Sequence, residues 1–274
     1  MIPAHRQLGS RVRLEWGPTG AAALAADVDV AVVVDVLSFT TTLTVAADGG
    51  TVVHPFPWRD ERAQAYAAAH HAELAADRSG GTRRVAGAFP PRDDAGSEPS
   101  SAPAGGVSLS PTSVREAQQR PGGLPRLVLP SPNGSTISAA LAESGARVVG
   151  ASLRNATAVG RRLAGLDPAS RVLVVPSGER WPDGSLRPAV EDLWGAGAVL
   201  AALVDAGGTG LGPEARFAEA AWRTVAGRLP EELAACASGR ELLDAGYTDD
   251  VTVAAEVDTT DVVPVLEAGA YRAG

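Results

Sequence analysis

Short apolar runs alternate along the chain with Ala-rich segments, and polar turns separate the two. The most apolar run is VDVAVVVDVL at 28–37, whose length and Val content predict a strand buried on both faces. The next segment, SFTTTLTVAA at 38–47, opens with hydroxyl side chains of the kind that cap a helix. The same order returns at strands 124–129, 147–151 and 171–175 and at helices 136–144, 156–164 and 190–204. This succession predicts an α/β protein of three α/β/α layers with a mixed, mostly parallel sheet.

Weaker patterns predict the remaining elements. They are a strand at 51–55, a helix at 61–76, helices at 213–228 and 230–243, and a late strand at 251–257. The strand-turn-helix units share a plan but not a sequence, so we predict no internal repeat. At 274 residues the chain has ample length for a substantial core, and we interpret 1–274 as one α/β domain.

The segment 90–106, PPRDDAGSEPSSAPAGG, differs from its surroundings. It has almost no apolar side chains and is rich in Pro, Gly and Ser. Such a segment cannot bury enough surface to offset the entropy lost on ordering. We predict a flexible insertion within the domain, and a lid over the active site is the alternative.

The composition is that of a globular protein with an acidic surface. Hydrophobic residues make up 45% and charged residues 20% of the chain, and the net charge is -8. The excess of acidic residues argues against nucleic acid and anionic membranes as partners, because both bind to protein surfaces with concentrated positive charge. We find neither a charged-then-apolar leader nor an apolar run of about 18 residues, so we expect a soluble, cytoplasmic protein.

Several classes of chemistry are excluded by residue types that are scarce. All 24 basic residues are Arg, and the absence of Lys excludes Walker-type nucleotide loops, kinase-type sites and Schiff-base enzymes. One Cys excludes a disulfide framework and CxxC sites. Four His residues make a multi-histidine zinc site improbable.

Four turns between a strand and a helix carry Ser, Thr, Asn or Gly. In an open α/β sheet, ligands bind where strands end and helices begin, because unpaired N–H groups and the positive helix end meet there. Each turn alone is explained by helix capping. Their recurrence favours a site for a small phosphorylated or sulfonated ligand. The turns lie at 38–42, 131–136, 152–157 and 177–179.

Three acidic residues are candidates for a metal site. Asp35 ends the most buried strand, where an unpaired charge is costly, so it is either a structural partner of a helix N-terminus or a metal ligand or general base. Glu191 and Asp192 open a helix, where the helix dipole alone favours carboxylates. Together the three would make a carboxylate set suited to Mg2+, which takes hard oxygen ligands.

In order along the chain, these turns resemble those of the 2-phosphosulfolactate phosphatase family, Mg2+-dependent acid phosphatases linked to coenzyme M biosynthesis. The resemblance covers most of the chain, from 32 to about 251. The segments that carry it are VVVDVLSFTTTL, GVSLSPTSV, LPSPNGSTIS, GASLRNATAV, VEDLWGAGAVL and SGRELLDAGYTDDV.

The resemblance implies hydrolysis of a small phosphate monoester on an acid that carries a further anionic group. Asp35 and Glu191 are the expected catalytic residues, and Asp35, Glu191 and Asp192 the expected Mg2+ ligands. Hydrogen bonds from the turns would hold the phosphoryl oxygens and strengthen in the transition state. The expected substrate-binding residues are Ser38, Thr40, Thr41, Asn133, Gly134, Ser135, Arg154 and Asn155.

The chain departs from the family pattern where anions would be read. Ser38-Phe39 stands where the family has Arg-Ala, which removes a bidentate clamp. GVSLSP and the turn at 176–178 are also altered. Arg154 is our candidate for supplying the missing charge.

Two questions stay open on the sequence alone. The group that attacks phosphorus is either a metal-activated water or Asp35 itself. The water is favoured because no Lys is present. A non-catalytic anion-binding or regulatory protein on the same scaffold is the alternative function. A homodimer is the only protein partner that we expect.

Overall fold

The computed structural model describes residues 2–57, 61–78 and 106–274. Except for Gly106, the insertion predicted at 90–106 lies outside the described residues. None of the helices within the described ranges combines the length and the apolar character needed to cross a lipid bilayer.

The described residues form one large sheet, one small hairpin and a set of helices. The strands are β1 (Val12–Leu14), β2 (Val30–Val34), β3 (Val52–Phe56), β4 (Glu73–Leu74), β5 (Arg126–Pro130), β6 (Arg147–Ala151), β7 (Val172–Pro176), β8 (Glu179–Arg180), β9 (Leu186–Arg187), β10 (Pro264–Glu267) and β11 (Ala270–Ala273). The α-helices are α1 (Gly17–Leu24), α2 (Phe39–Asp48), α3 (Glu61–Ala69), α4 (Pro111–Gln118), α5 (Gly134–Glu143), α6 (Ala156–Ala164), α7 (Val190–Asp205), α8 (Pro213–Val225), α9 (Leu229–Ala235), α10 (Ala237–Asp244) and α11 (Thr248–Ala254).

The large sheet has nine strands in the order β1-β7-β2-β6-β10-β11-β3-β5-β4. The first four strands pair in parallel, and so do the last three. The β10–β11 hairpin joins the two groups through antiparallel pairings. The predicted α/β fold with a mixed, mostly parallel sheet is confirmed.

Strand β2 lies at the centre of the core, and all five of its residues are buried. Val30, Val32 and Val34 pack in an apolar cluster with residues of α6, α7 and α8. Ala31 and Val33 face the opposite side and pack with residues of α1, α2, α4 and α5. Burial on both faces is what the Val-rich pattern of this strand predicts.

Helices α2 and α5 pack against strands of both parallel groups. The turn after β5 therefore reaches the turns after β2 and β7, although β5 is separated from β2 by the antiparallel hairpin in the sheet order. This shared helix layer positions the candidate site.

Three predicted elements are corrected. The helix predicted at 61–76 ends at Ala69, where His71 adopts a left-handed φ of 50°, and β4 follows. The helix predicted at 230–243 is two helices, divided at Cys236, whose ψ of 161° is extended. The strand predicted at 251–257 is wrong, because α11 begins at Thr248 and places two Asp side chains in its first turn, where the helix dipole favours them.

Candidate functional site

Asp35 directly follows β2, where the chain turns into α2. The residue is 5% exposed, and the backbone N–H groups of Phe39 and Gly134 lie near its carboxylate and lower its pKa. The Gly134 N–H also donates to the Ser131 hydroxyl at 3.2 Å. The Thr40 hydroxyl accepts a hydrogen bond from the Asp35 N–H and donates one to the Asp35 carbonyl, both at 2.8 Å. The N-termini of α2 and α5 therefore both lie next to one carboxylate.

The contact between these two helix starts requires a glycine. Phe39 is fully buried, and a Cβ atom on Gly134 would lie 2.4 Å from its ring. No heavy-atom contact of that length is tolerated in a packed interior. The Gly in the SPNGS turn thus permits α5 to start against α2.

Asp192 joins two turns at the start of α7. One carboxylate oxygen accepts a hydrogen bond from the Val36 N–H at 2.7 Å, and the other accepts one from the Gly178 N–H at 2.8 Å. Helix α7 can approach this closely because Gly195 faces β2, where a Cβ would lie 2.5 Å from a Val36 methyl carbon. The structure thereby brings Asp192 and its neighbour Glu191 beside Asp35.

Four carboxyl groups form what we call the acidic cluster: Asp35, Glu179, Glu191 and Asp192. Burial, with a smaller contribution from the Glu191 charge, raises the pKa of Asp35 to about 6 against the opposing effects of the N–H groups and the Arg78 charge. Burial, followed by the charges of Asp35 and Glu191, also raises the pKa of Asp192 and brings that of Glu179 to about 7. Glu179 lies in one of the four predicted turns, but its local sequence does not single it out as a site residue.

Glu191 has one carboxylate oxygen without a protein partner. The residue is 2% exposed, and its Oε2 makes no hydrogen bond within the described residues. Cys236, whose thiol lies near the Glu191 carboxylate, is also buried. Burial together with the Glu191 charge raises the pKa of this thiol to about 12. A buried carboxylate oxygen without a donor is costly unless a cation or water satisfies it.

Arg78 is the cation that acts on Asp35. Its Nη1 donates to the Leu37 carbonyl at 2.7 Å, and its Nε lies 3.1 Å from Asp250 Oδ2. The guanidinium charge lowers the pKa of Asp35 against the larger effect of burial. Sequence reasoning missed Arg78, because nothing in its local pattern sets it apart from the exposed arginines.

Most of the predicted phosphate-binding side chains bind the protein itself. The Thr41 and Ser135 hydroxyls donate to the carbonyls of Val36 and Leu129, and the Asn133 amide donates to the Gly178 carbonyl at 3.0 Å. Like Thr40, these side chains position the turns. The expectation that they donate to phosphoryl oxygens is therefore not supported by their contacts.

Ser38 has the free side chain of the first turn. It is partly exposed, and its hydroxyl makes no hydrogen bond with the described residues. Of the predicted substrate-binding hydroxyls, this one retains a donor for a ligand.

The turn after β6 contributes structure rather than charge. Asn155 completes a helix-capping box with Ser152 and also donates to the Val262 carbonyl at 3.0 Å. Arg154 is 3% exposed and forms ion pairs with Glu256 and Asp48, neither of which belongs to the acidic cluster. These side chains hold the 256–262 segment to the sheet, and the substrate-binding roles expected for them stay predictions.

The fit of the acidic cluster to a metal ion depends on which of its carboxylate oxygens can still accept a ligand. Across residues 2–57, 61–78 and 106–274, no three His, Cys, Asp or Glu side chains are arranged to hold one ion. Both oxygens of Asp192 accept from backbone N–H groups, and its place in the expected set with Asp35 and Glu191 stays a prediction. Mg2+ commonly binds through only one or two carboxylates, with water and phosphate as further ligands. Asp35 and the unpartnered Glu191 oxygen fit that mode, and their role as ligands stays a prediction.

The fold and the site define an α/β protein with a buried acidic cluster at the carboxyl ends of parallel strands, next to two helix N-termini. The chain belongs to the 2-phosphosulpholactate phosphatase family, whose model matches residues 96–269, more than half of the chain. The match includes Glu179, Glu191 and Asp192 and begins after Asp35. The family resemblance expected from the sequence is confirmed, and it places the chain among phosphatases, a class of hydrolases.

Proposed function

We propose that the protein hydrolyses a small phosphate monoester in a Mg2+-dependent reaction, with 2-phosphosulfolactate as the first substrate to test. The observation that carries this proposal is the Glu191 Oε2 atom, which is buried beside Asp35 and accepts no hydrogen bond from any residue that the structure describes. A divalent cation would satisfy this oxygen and offset the repulsion within the acidic cluster. The family to which the chain belongs supplies the reaction class.

Asp35 and Glu191 are the residues that would hold the metal ion. When bound, Mg2+ supplies positive charge to the phosphoryl group and acidity to water at the site. The N–H groups of Phe39 and Gly134 favour the charged form of the Asp35 carboxylate, and Asp192 fixes the approach of α7. The Ser38 hydroxyl, which is partly exposed, would donate to a phosphoryl oxygen.

The carboxyl group of Glu179 has a separate role in the proposal. It is partly buried next to the acidic cluster, and its pKa of about 7 allows it to carry a proton near neutral pH. A carboxyl group in that state can protonate the leaving alkoxide as the phosphorus–oxygen bond breaks. Glu179→Gln should therefore slow the release of poorly acidic alcohols far more than that of p-nitrophenol.

The decisive experiment compares wild type with Asp35→Asn on a panel of phosphate monoesters, each with Mg2+ and with a chelator. The panel contains 2-phosphosulfolactate, other phosphorylated hydroxy acids and p-nitrophenyl phosphate. We expect Asp35→Asn to lose at least about a thousandfold of the Mg2+-dependent turnover while it keeps a cooperative unfolding transition. Asp167→Asn, on the exposed loop before β7, is the matched control and should keep wild-type turnover.

Two results would reject this function. Turnover by Asp35→Asn within tenfold of wild type would remove Asp35 from the mechanism. A wild-type protein that binds phosphate yet hydrolyses none of the panel would favour the alternative of an anion-binding protein on the same scaffold.

A further inference from the structure

A phosphate monoester that enters the acidic cluster meets four carboxyl groups. A substrate dianion is repelled by the carboxylates of this cluster that are ionised, and a positive charge next to the phosphoryl group reduces that repulsion. The site therefore needs a fixed protein cation next to the phosphoryl position, and the described residues around Asp35 supply one.

Arg78 is held in place on three sides. Nη1 donates to the carbonyl of Leu37, the residue directly before Ser38. Nε forms an ion pair with Asp250, which is 3% exposed and also accepts a hydrogen bond from Ser110. The Tyr247 ring lies against the guanidinium, with 5.9 Å between its centroid and Cζ.

The third nitrogen of this guanidinium has no partner in the part of the chain that the structure describes. Nη2 of Arg78 makes no hydrogen bond or ion pair with the described residues, although the side chain is only 13% exposed. A planar guanidinium whose other two nitrogens are engaged loses little further freedom when Nη2 binds an oxyanion. It is thus preorganised for a charge-assisted hydrogen bond.

The arginines of the β8–β9 hairpin are less suited to this role. Arg187 donates to the Ser238 hydroxyl at 2.8 Å and lies over Trp181, so it holds the hairpin to α10. Arg180 donates through Nε to Asn133 and is exposed.

We propose that Arg78 is a substrate-binding residue, whose Nη2 binds a phosphoryl oxygen at the Leu37–Ser38 turn together with the Ser38 hydroxyl. This inference rests on the proposed function for the identity of the substrate, a small phosphate monoester. Its binding step applies equally to inorganic phosphate, the product of such a reaction.

The test measures binding of inorganic phosphate by calorimetry, with and without Mg2+, to wild type, Arg78→Gln and Arg78→Lys. We expect Arg78→Gln to weaken phosphate binding about ten- to hundredfold and to raise KM for a hydrolysed ester by a similar factor with a smaller change in kcat. Arg78→Lys keeps a positive charge and should lose less affinity than Arg78→Gln. Arg115→Gln is the matched control, because it removes another half-buried arginine that is paired with a single carboxylate, Glu256.

Arg78 also stabilises the fold, so each variant is first checked by its thermal unfolding. If Arg78→Gln does not fold, Arg78→Lys against Arg115→Lys gives the same comparison. Wild-type affinity for phosphate in the Arg78 variants, equal weakening in the Arg115 variant, or no phosphate binding by wild type would each overturn the inference. Arg78-dependent phosphate binding without hydrolysis of any ester would support it and reject the phosphatase function instead.

Discussion

The Asp192 carboxylate accepts a hydrogen bond from the backbone N–H of Val36 at 2.7 Å, across 156 positions of sequence. Its second oxygen accepts from Gly178, so one side chain connects the turns after β2 and β7 to the start of α7. Both hydrogen bonds are buried, and each uses a different oxygen of the carboxyl group. The position of Glu191 beside Asp35 therefore depends on its neighbour in the sequence.

Asp192→Asn should destabilise the protein although it preserves the shape of the side chain. An amide has one acceptor oxygen, so either Val36 or Gly178 would face an NH2 group instead of an oxygen. We expect a loss of about 1–3 kcal/mol in the free energy of unfolding, measured by urea denaturation. Asp205→Asn, at the other end of α7 in an exposed pair with Arg223, should change it by less than about 1 kcal/mol. Equal effects of the two variants would contradict the tethering role.

Asp35 gives the metal-free protein a specific pH dependence. Its folded pKa of about 6 lies above the ordinary value of 3.8, so its favourable contribution is complete below about pH 4 and is lost as the pH rises through about 6. Asp35→Asn does not ionise and avoids this loss. Between pH 4 and pH 8 its free energy of unfolding, relative to wild type, should rise by about 2–3 kcal/mol.

Urea unfolding in the presence of a chelator at a series of pH values measures this difference. The comparison across pH cancels any constant cost of the amide. Asp183→Asn is the control, because hydrogen bonds from Ser185 lower the pKa of Asp183 and its small contribution must run in the opposite direction. A relative stability of Asp35→Asn that is flat across this range would show that the carboxyl group is not desolvated.

The parts of the fold that rest on local pattern could be predicted from the sequence. Strand β2 has an apolar side chain at every position, and that pattern distinguishes a central parallel strand from an edge strand. The prediction that Asp35 ends this strand places it at the carboxyl edge of the sheet, where the turn after β7 must also lie. Its proximity to Glu191 and Asp192 follows from the same geometry.

Other parts depend on contacts that no local pattern records. The V-T-V spacing at 251–253 suits a strand, but Asp250 accepts a hydrogen bond from Ser110, 140 positions away, within a helical turn. Arg78 acts on Asp35 only because α11 supplies Asp250 to hold it. The pairing of Arg154 with Glu256 cannot be predicted from the sequence, because the two residues are far apart along the chain. The sequence therefore assigns the anion-binding charge to Arg154, and that assignment stays a prediction.

Arg154→Met should affect stability and leave anion binding intact. The variant removes a buried guanidinium and leaves Glu256 with Arg115 as its remaining partner. Loss of a buried ion pair is costly, and because Glu256 is partly exposed we expect a decrease on the order of 2 kcal/mol in the free energy of unfolding. Phosphate affinity by calorimetry should stay within about twofold of wild type. A selective loss of phosphate binding would return Arg154 to the site.

Gly134→Ala should disrupt the site through packing alone. The added methyl group meets the buried Phe39 ring at 2.4 Å, and relief of that clash moves the Gly134 N–H away from the Asp35 carboxylate. We expect a loss of about 1–3 kcal/mol in the free energy of unfolding together with reduced turnover. Gly227→Ala is the control, since a Cβ there meets no atom within 4 Å and its φ is not left-handed. The double variant Gly134→Ala/Phe39→Leu removes ring atoms from the clash, so it should recover part of both losses. Additive destabilisation in this double variant would mean that the Phe39 contact is not the reason for glycine at 134.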